Sequence, residues 1–212
     1  MTVLEIAEIS KTKSKVLLDT NVCFALYRSE IRKYRIEKDA EISQECYDTI
    51  MNEVLLKRAK LRCMNLLKSR DYTEYQLRMK LRQGIYPEEI IEAAVAYVSS
   101  YGYVNDFRYA QTYIEYAGKS KSRRQIENCL AGKGVSRDTI EQAYEQCSEE
   151  DSITTEEELI YRLFEKKHFD RANATYEECQ KMIGFLYRKG FVLDKIYKAV
   201  GRCDSGCDSF DA

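Results

Sequence analysis

The chain has 212 residues, of which 44% are hydrophobic and 33% charged, with a formal net charge of −1. That is enough apolar material for one or two cored domains or a repeat array, and it excludes wholesale disorder. The near-zero charge also argues against a protein whose main work is coating nucleic acid, because phosphate neutralisation requires a positive excess.

A single Pro and nine Gly favour helices with short connections. The first forty residues depart from that pattern. Val16-Leu17-Leu18 and Val22 to Tyr27 are apolar and β-prone, with Asp19-Thr20-Asn21 as the turn between them, and Val3 to Ile9 predicts a third strand. Ser29 is placed to cap a short helix through Tyr34. This reads as a small β-containing module with its own minor core. From Ser43 the period becomes helical, with Ile50, Val54, Lys57, Leu61 and Met64 at steps of three or four. One helix to about Leu67 is predicted, roughly 37 Å long at 1.5 Å per residue.

The sequence then repeats itself. Leu77, Leu81, Tyr86, Ile91 and Ala94 recur without a gap as Ile126, Leu130, Val135, Ile140 and Ala143, and again as Met182, Leu186, Phe191, Ile196 and Ala199. The first two residues of each set share one helix face, a tight turn follows, and the last two lie on the next helix. Gly134 and Gly190 occupy the turn, where a left-handed C-cap favours glycine. The first set has Ile85 there and Gly84 one place early, so its turn is expected to differ. Thr73 to Gln76 and Ser122 to Gln125 are capping boxes ahead of their sets. Thr175 to Glu178 is a third, placed about one turn earlier, which predicts a longer middle helix in the last repeat. Pro87 fits the first position of the helix carrying Ile91. A further amphipathic helix precedes each set: Ser43 to about Leu67, Asp106 to Tyr116, and Glu156 to Lys166.

The predicted fold is all-α, with three tandem three-helix repeats in an elongated array behind the small β-containing N-terminal module. The expected boundaries are 1–42 for the β-hairpin-containing module, 43–100, 101–150 and 151–201 for the repeats, and 202–212 for a disordered tail. The acidic joint from Cys147 to Thr155 reads as flexible. No apolar run approaches the ~20 residues that span a bilayer. Met1 to Ser10 also lacks the basic and apolar regions of a signal peptide, so a cytoplasmic protein is expected. Cys23, Cys46, Cys63, Cys129, Cys147 and Cys179 are scattered singly, which suits free, buried thiols in a reducing compartment. Cys203 and Cys207 form a close pair without the second pair that a zinc site needs, and His168 is the only histidine. No metal or cofactor is expected. Phosphate-cradling loops, metal-binding helices and nucleophile elbows are absent from the sequence, which predicts a protein that is not an enzyme.

Two kinds of motif remain. Gly102 to Ala110 reads as a corner, with Gly102 as C-cap, Asn105 as N-cap, and Tyr103 and Val104 stapling it. Basic residues supply the candidate partner-binding site. Lys119, Lys121, Arg123 and Arg124 cluster at a helix start, where the macrodipole disfavours cations, and such placement suits an anionic partner. The surface helices carrying Arg78, Lys80 and Arg82, and Arg188 and Lys189, repeat the basic character. Removing Arg123 and Arg124 is expected to weaken partner binding and leave stability unchanged.

Ser69 to Glu74 with Leu77 and Leu81, Gly102 to Asp106 with Tyr109-Ala110, and Lys121 to Ile126 running on to Leu130 and Gly134-Val135 together resemble the RecX family. The resemblance covers about residues 55 to 200, and the N-terminal module is similar, more loosely, to an extension seen in some members. The three-fold recurrence predicts a monomer, and the resemblance implies a modulator that lies along the groove of the RecA nucleoprotein filament. Such a modulator contacts several protomers, approaches the DNA, and restrains ATPase, strand-exchange and coprotease activity. Contact with single- or double-stranded DNA would be weak, since this chain is less basic than many members. A free-standing, helical nucleic-acid-binding regulator is the alternative. It is disfavoured because between Asp106 and Asp151 acids slightly outnumber bases.

Overall fold

The computed structural model describes residues 1–149 and 154–201. The tail with Cys203 and Cys207, and the middle of the acidic joint, lie outside the described residues. The chain forms two compact units, Met1–Asp106 and a second beginning at Phe107.

The first unit opens with an antiparallel meander of β1 (Val3–Ser10), β2 (Lys13–Leu18) and β3 (Cys23–Tyr27) in that order. Register pairs Ile6 with Val16 and Val16 with Phe24, and the alternation along β2 turns Ser14, Val16 and Leu18 inward. Asn21 takes a left-handed φ of 59° in the β2–β3 turn, a conformation that Asn tolerates. Helix α1 (Arg28–Lys33) starts earlier than expected. Its cap is Tyr27, whose backbone N–H donates to a Glu30 carboxylate oxygen at 2.8 Å, so Ser29 falls inside the first turn.

The predicted long helix is continuous in direction but not in type. Helix α2 (Gln44–Thr49), capped by the Ser43 hydroxyl, runs into a π-helical stretch at Ile50–Leu56 and then α3 (Lys57–Leu67). The buried residues are Ile50, Met51, Leu55, Ala59 and Cys63, whereas Lys57 and Leu61 face solvent. The expected face is thus right in part: Ile50 is buried and Val54 and Met64 pack partly against the core, but Lys57 and Leu61 lie outside it and Met51, Leu55, Ala59 and Cys63 form its centre. An i→i+5 turn takes up more than 3.6 residues, so in this helix a step of four keeps side chains on the inner side. The sheet has no separate core either. Val3, Val16, Leu18, Phe24 and Leu26 pack in one cluster with Ile50, Leu55, Leu77, Leu81 and Ile91. Arg58 of α3 ties the two parts, donating to the Ala25 carbonyl at 3.3 Å and pairing with Glu30.

The three sets of five occupy equivalent places. Helices α4 (Glu74–Arg82), α7 (Arg123–Gly132) and α10 (Tyr176–Arg188) carry the first two residues of each set. Helices α5 (Glu88–Ser100), α8 (Arg137–Glu149) and α11 (Leu193–Val200) carry the last two. Every one of the fifteen residues is buried except Tyr86, which is half-buried. The leading helices of the later domains are α6 (Asp106–Ala117) and α9 (Glu156–Lys167). Within the second unit, Ile114, Ile126, Leu130 and Ala143 belong to one cluster and Ile160, Phe164, Leu186 and Ile196 to another. Helix α10 is the longest of the middle helices, as its early capping box predicts. Pro87 is the cap of α5, one residue outside the helix, with its carbonyl accepting from Ile90 and Ile91.

The first turn does not differ as expected. Ile85 itself adopts φ 56°, beside 82° at Gly134 and 84° at Gly190. Gly84 serves a different purpose, since a Cβ there would stand 2.7 Å from the Tyr86 ring and 3.1 Å from the Leu81 carbonyl. The Gly102 corner closes with φ 68° and buries Val104, whereas Tyr103 is half exposed and stacks on Tyr101. Five thiols (Cys23, Cys46, Cys63, Cys129 and Cys147) are free, whereas Cys179, 2% exposed, is disulfide-bonded, against the expectation of a free thiol there. Among the described residues no helix is long and apolar enough to cross a membrane.

Two glycines near the ends of middle helices should therefore respond oppositely to alanine. Gly84→Ala is expected to lower the unfolding free energy by about 1–3 kcal/mol through overpacking. A methyl group on Gly132 would meet no atom within 4 Å, so alanine there should be tolerated and gain up to about 1 kcal/mol from helix propensity. Urea midpoints of the two variants check both signs.

Candidate functional site

The basic segment before α7 is organised by a serine that works in two directions. Ser122 adopts the extended conformation of an N-cap, φ −66° and ψ 157°, and its Oγ accepts from the Gln125 N–H at 3.4 Å. The same hydroxyl donates to the Lys189 carbonyl at 2.6 Å, at the C-terminal end of α10. The expected capping box is consequently half-formed: the Gln125 side chain does not return a bond to Ser122. Ser122 is fully buried, and Gly190 makes this closeness possible, since a Cβ on it would stand 2.9 Å from Ser122 Oγ.

A carboxylate completes the joint. Glu156, the first residue of α9, accepts the Arg123 backbone N–H at 3.2 Å and the Lys195 ammonium of α11 at 2.9 Å. An acid in this position offsets the positive end of the α7 dipole, which explains how a helix start tolerates so many cations. The start of α4 uses the same device: the Glu74 N–H donates to Asp106 Oδ1 at 3.0 Å, and Asp106 opens α6. Burial raises the Asp106 pKa, partly countered by that backbone bond.

The eight sequence-predicted residues separate by what they already hold. Arg78 grips Glu92 with two bonds of 2.8 and 3.0 Å and Glu74 with a third of 3.0 Å. Its hydrogen bond to Glu92 raises an already high pKa. Arg82 pairs with Glu88 through both Nε and Nη2. Both residues tie α4 to α5. Lys121 donates to the Tyr113 hydroxyl at 3.1 Å, and that bond raises its pKa. Arg123 donates to Glu127 at 2.7 Å and lies 4.5 Å above the ring of Tyr144, a buried residue. Lys189 sits 5.8 Å from the Phe185 ring. Among the described residues, the side chains of Lys119, Arg124 and Arg188 make no ion pair or hydrogen bond.

The fold brings together two basic pairs far apart in sequence. Gly190 lies against the Cβ of Arg124, and the Ser122–Lys189 bond spans 67 residues, so Arg123-Arg124 and Arg188-Lys189 share one corner of the second unit. Arg78 and Arg82 belong to the first unit. Glu156 and Lys195 were not singled out from the sequence. The only local hint was that Glu156 opens a helix, a position acids prefer anyway.

Comparison with known proteins decides the family. Family models for the first, second and third three-helix domains of RecX match residues 59–97, 105–143 and 155–200. The chain belongs to the RecX family. It is 33% identical over 190 residues to "Regulatory protein RecX" of Caldanaerobacter subterraneus subsp. tengcongensis, covering 89% of this chain and 92% of that one. It is 29% identical over 197 residues to the protein of that name from Clostridium perfringens (strain 13 / Type A), covering 92% and 91%. A crystal structure of regulatory protein RecX superposes with a TM-score of 0.59 at 22% identity, covering 94% of this chain and 98% of that one. RecX from Lactobacillus salivarius gives 0.57 at 20% identity, covering 69% and 94%. These two likenesses bear on the fold, and they agree with three helical domains in series.

Arg123 and Arg124, adjacent in sequence, should behave differently. Arg123→Ala removes an i,i+4 ion pair and a cation–π contact and is expected to lower stability by about 1 kcal/mol. Arg124→Ala should stay within about 0.5 kcal/mol of the parent. This corrects the expectation that both residues are dispensable to the fold, and thermal melts of the two single variants separate them.

Proposed function

We propose that this protein binds the RecA nucleoprotein filament and lowers its ATPase, strand-exchange and coprotease activities, acting without catalysis of its own as a cytoplasmic monomer. Membership of a family whose relatives are named regulatory proteins supports the class of function. The observation that carries the site is the corner where Arg124 and Arg188, unpaired among the described residues, stand beside Lys189 on a chain of net charge −1. Arg78, Arg82, Lys121 and Arg123, by contrast, are already matched by a carboxylate, phenol or ring of the same chain. Guanidinium groups left without a partner are preorganised for carboxylate or phosphate, which a planar fork engages with two bonds. A filament of acidic protein surface and DNA offers both. Pairing of Arg78 and Arg82 with glutamates of α5 supports a reading in which they hold α4 on α5 and have only a secondary share in contact.

The test uses the cognate RecA hydrolysing ATP on single-stranded DNA. Parent protein is expected to lower the rate at substoichiometric concentration. The Arg124→Ala, Arg188→Ala double variant should need at least about tenfold more protein for the same effect, equivalent to about 1.4 kcal/mol of binding. An unchanged ATPase rate at saturating parent protein overturns the function, and equal potency of the double variant overturns the site.

A further inference from the structure

We propose that Tyr97, Tyr101 and Tyr103 of the first unit form a base-stacking platform for single-stranded nucleic acid, with Lys60 and Lys68 placed to meet its phosphates. Three observations lead there. The rings form a contiguous row, called a ladder below: Tyr101 and Tyr103 lie 6.0 Å apart and within 18° of parallel, and Tyr97 stands 5.0 Å from Tyr101 at a tilt of 57°. Tyr101 is 61% exposed and Tyr103 51%, so these two rings stand in water, while Tyr97 is half-buried against the core and anchors the row. Val104 is the buried residue of the corner that carries it, and the two outer rings lie largely outside the core.

Charge is the second observation. Between Val54 and Arg70 the chain places Lys57, Arg58, Lys60, Arg62, Lys68 and Arg70 and not one Asp or Glu. Lys57 and Arg58 are matched by Glu53 and Glu30. Lys60 and Lys68 make no ion pair among the described residues, and Lys60 Nζ stands 4.2 Å from the centre of the Tyr97 ring. A positive strip thus borders the ladder on a molecule that is otherwise near neutral. The third observation is shape. Met64, Leu67, Lys68 and Tyr103 line an open groove of about 230 Å³, apolar along its floor with a cation at its edge.

These features select one occupant. Bases of a single strand can stack on exposed rings whatever their identity, while the backbone follows the cations. A duplex keeps its bases stacked on each other and gains nothing from the ladder beyond charge. The site is separate from the basic corner of the second unit and needs no recombinase to be tested.

The experiment measures anisotropy of a labelled oligothymidylate of about 20 nucleotides with the full chain at low salt, without RecA. Single strand is expected to bind more tightly than a duplex of the same length. Tyr101→Ala with Tyr103→Ala should weaken binding by at least about tenfold, while Tyr101→Phe with Tyr103→Phe stays within about twofold, because stacking needs the ring and not the hydroxyl. Lys60→Gln with Lys68→Gln should flatten the logarithmic salt dependence by about 1.4, two phosphates at about 0.7 each. Ultraviolet crosslinking of a bromouridine oligonucleotide to the parent should map to Tyr101 or Tyr103, a readout that requires no variant to fold. Absence of single-strand binding, equal affinity for duplex, an alanine variant that binds like the parent, or crosslinks confined to other residues overturns the proposal. Because RecA is absent from the assay, any of these results leaves the filament-binding reading standing.

Discussion

Each three-helix domain turns on one residue held at positive φ, between the helix that carries the first two apolar positions and the helix that carries the last two. Without that reversal the pairs Leu77–Leu81 and Ile91–Ala94, and their equivalents, could not face one another in a common core. Glycine supplies the conformation at Gly134 and Gly190 without steric penalty. Ile85 supplies it against its own preference, in a region where a β-branched residue is an outlier. The surrounding first unit overrides that preference: the Ile85 carbonyl accepts from Ala25 of β3 at 3.2 Å, and Tyr86 fills the space that Gly84 leaves open. The sheet and the first helical domain are therefore one folding unit at this point, which agrees with their shared core.

The same constraint shapes the candidate site. A left-handed residue without a Cβ at position 190 lets the end of α10 approach the start of α7 until a serine hydroxyl bridges them. The Arg123 N–H, one of the donors that any helix start leaves without an intrahelical acceptor, is accepted by Glu156, and Glu156 also accepts from Lys195. Secondary-structure ends that would otherwise be capped by water are capped by other elements, and basic side chains gather around the joint. The corner is positive because acids there are spent on backbone and ammonium groups, leaving guanidinium groups on its outside.

Charge on this molecule is thus better described by what each group already holds than by the total. A net charge of −1 conceals two regions of cations unmatched among the described residues, one around Arg124 and Arg188, the other around Lys60 and Lys68. Conversely, Arg78 and Arg82 look like surface cations in the sequence but act as bidentate clamps between adjacent helices. Exposed pairs of this kind contribute little individually, yet they remove the two arginines from the stock of groups available to a partner.

The sequence by itself determined the local grammar: three sets of five apolar residues at identical spacing, the capped starts at Thr73, Ser122 and Thr175, and the strands before Ser43. These depend on neighbours within a few residues, through helical period, side-chain caps and β-propensity, so a linear reading can reach them. Where a distant contact decided the outcome, the linear reading failed. On the helix from Gln44 to Leu67, Ile50, Val54 and Met64 were placed on the inner face correctly and Lys57 and Leu61 were not, because a π-helical stretch changes the number of residues per turn. Ile85 was expected to alter its turn, but contacts with β3 and Tyr86 hold it in the conformation of a glycine. The candidate site was legible as composition and not as geometry. Lys119 to Arg124 and Arg188-Lys189 were visible as two basic segments, and only the tertiary structure could join them, because the Ser122–Lys189 bond crosses 67 residues. Which of those cations lack a partner among the described residues was likewise decided by packing, since a side chain's partner is set by what the fold brings within about 3 Å of it.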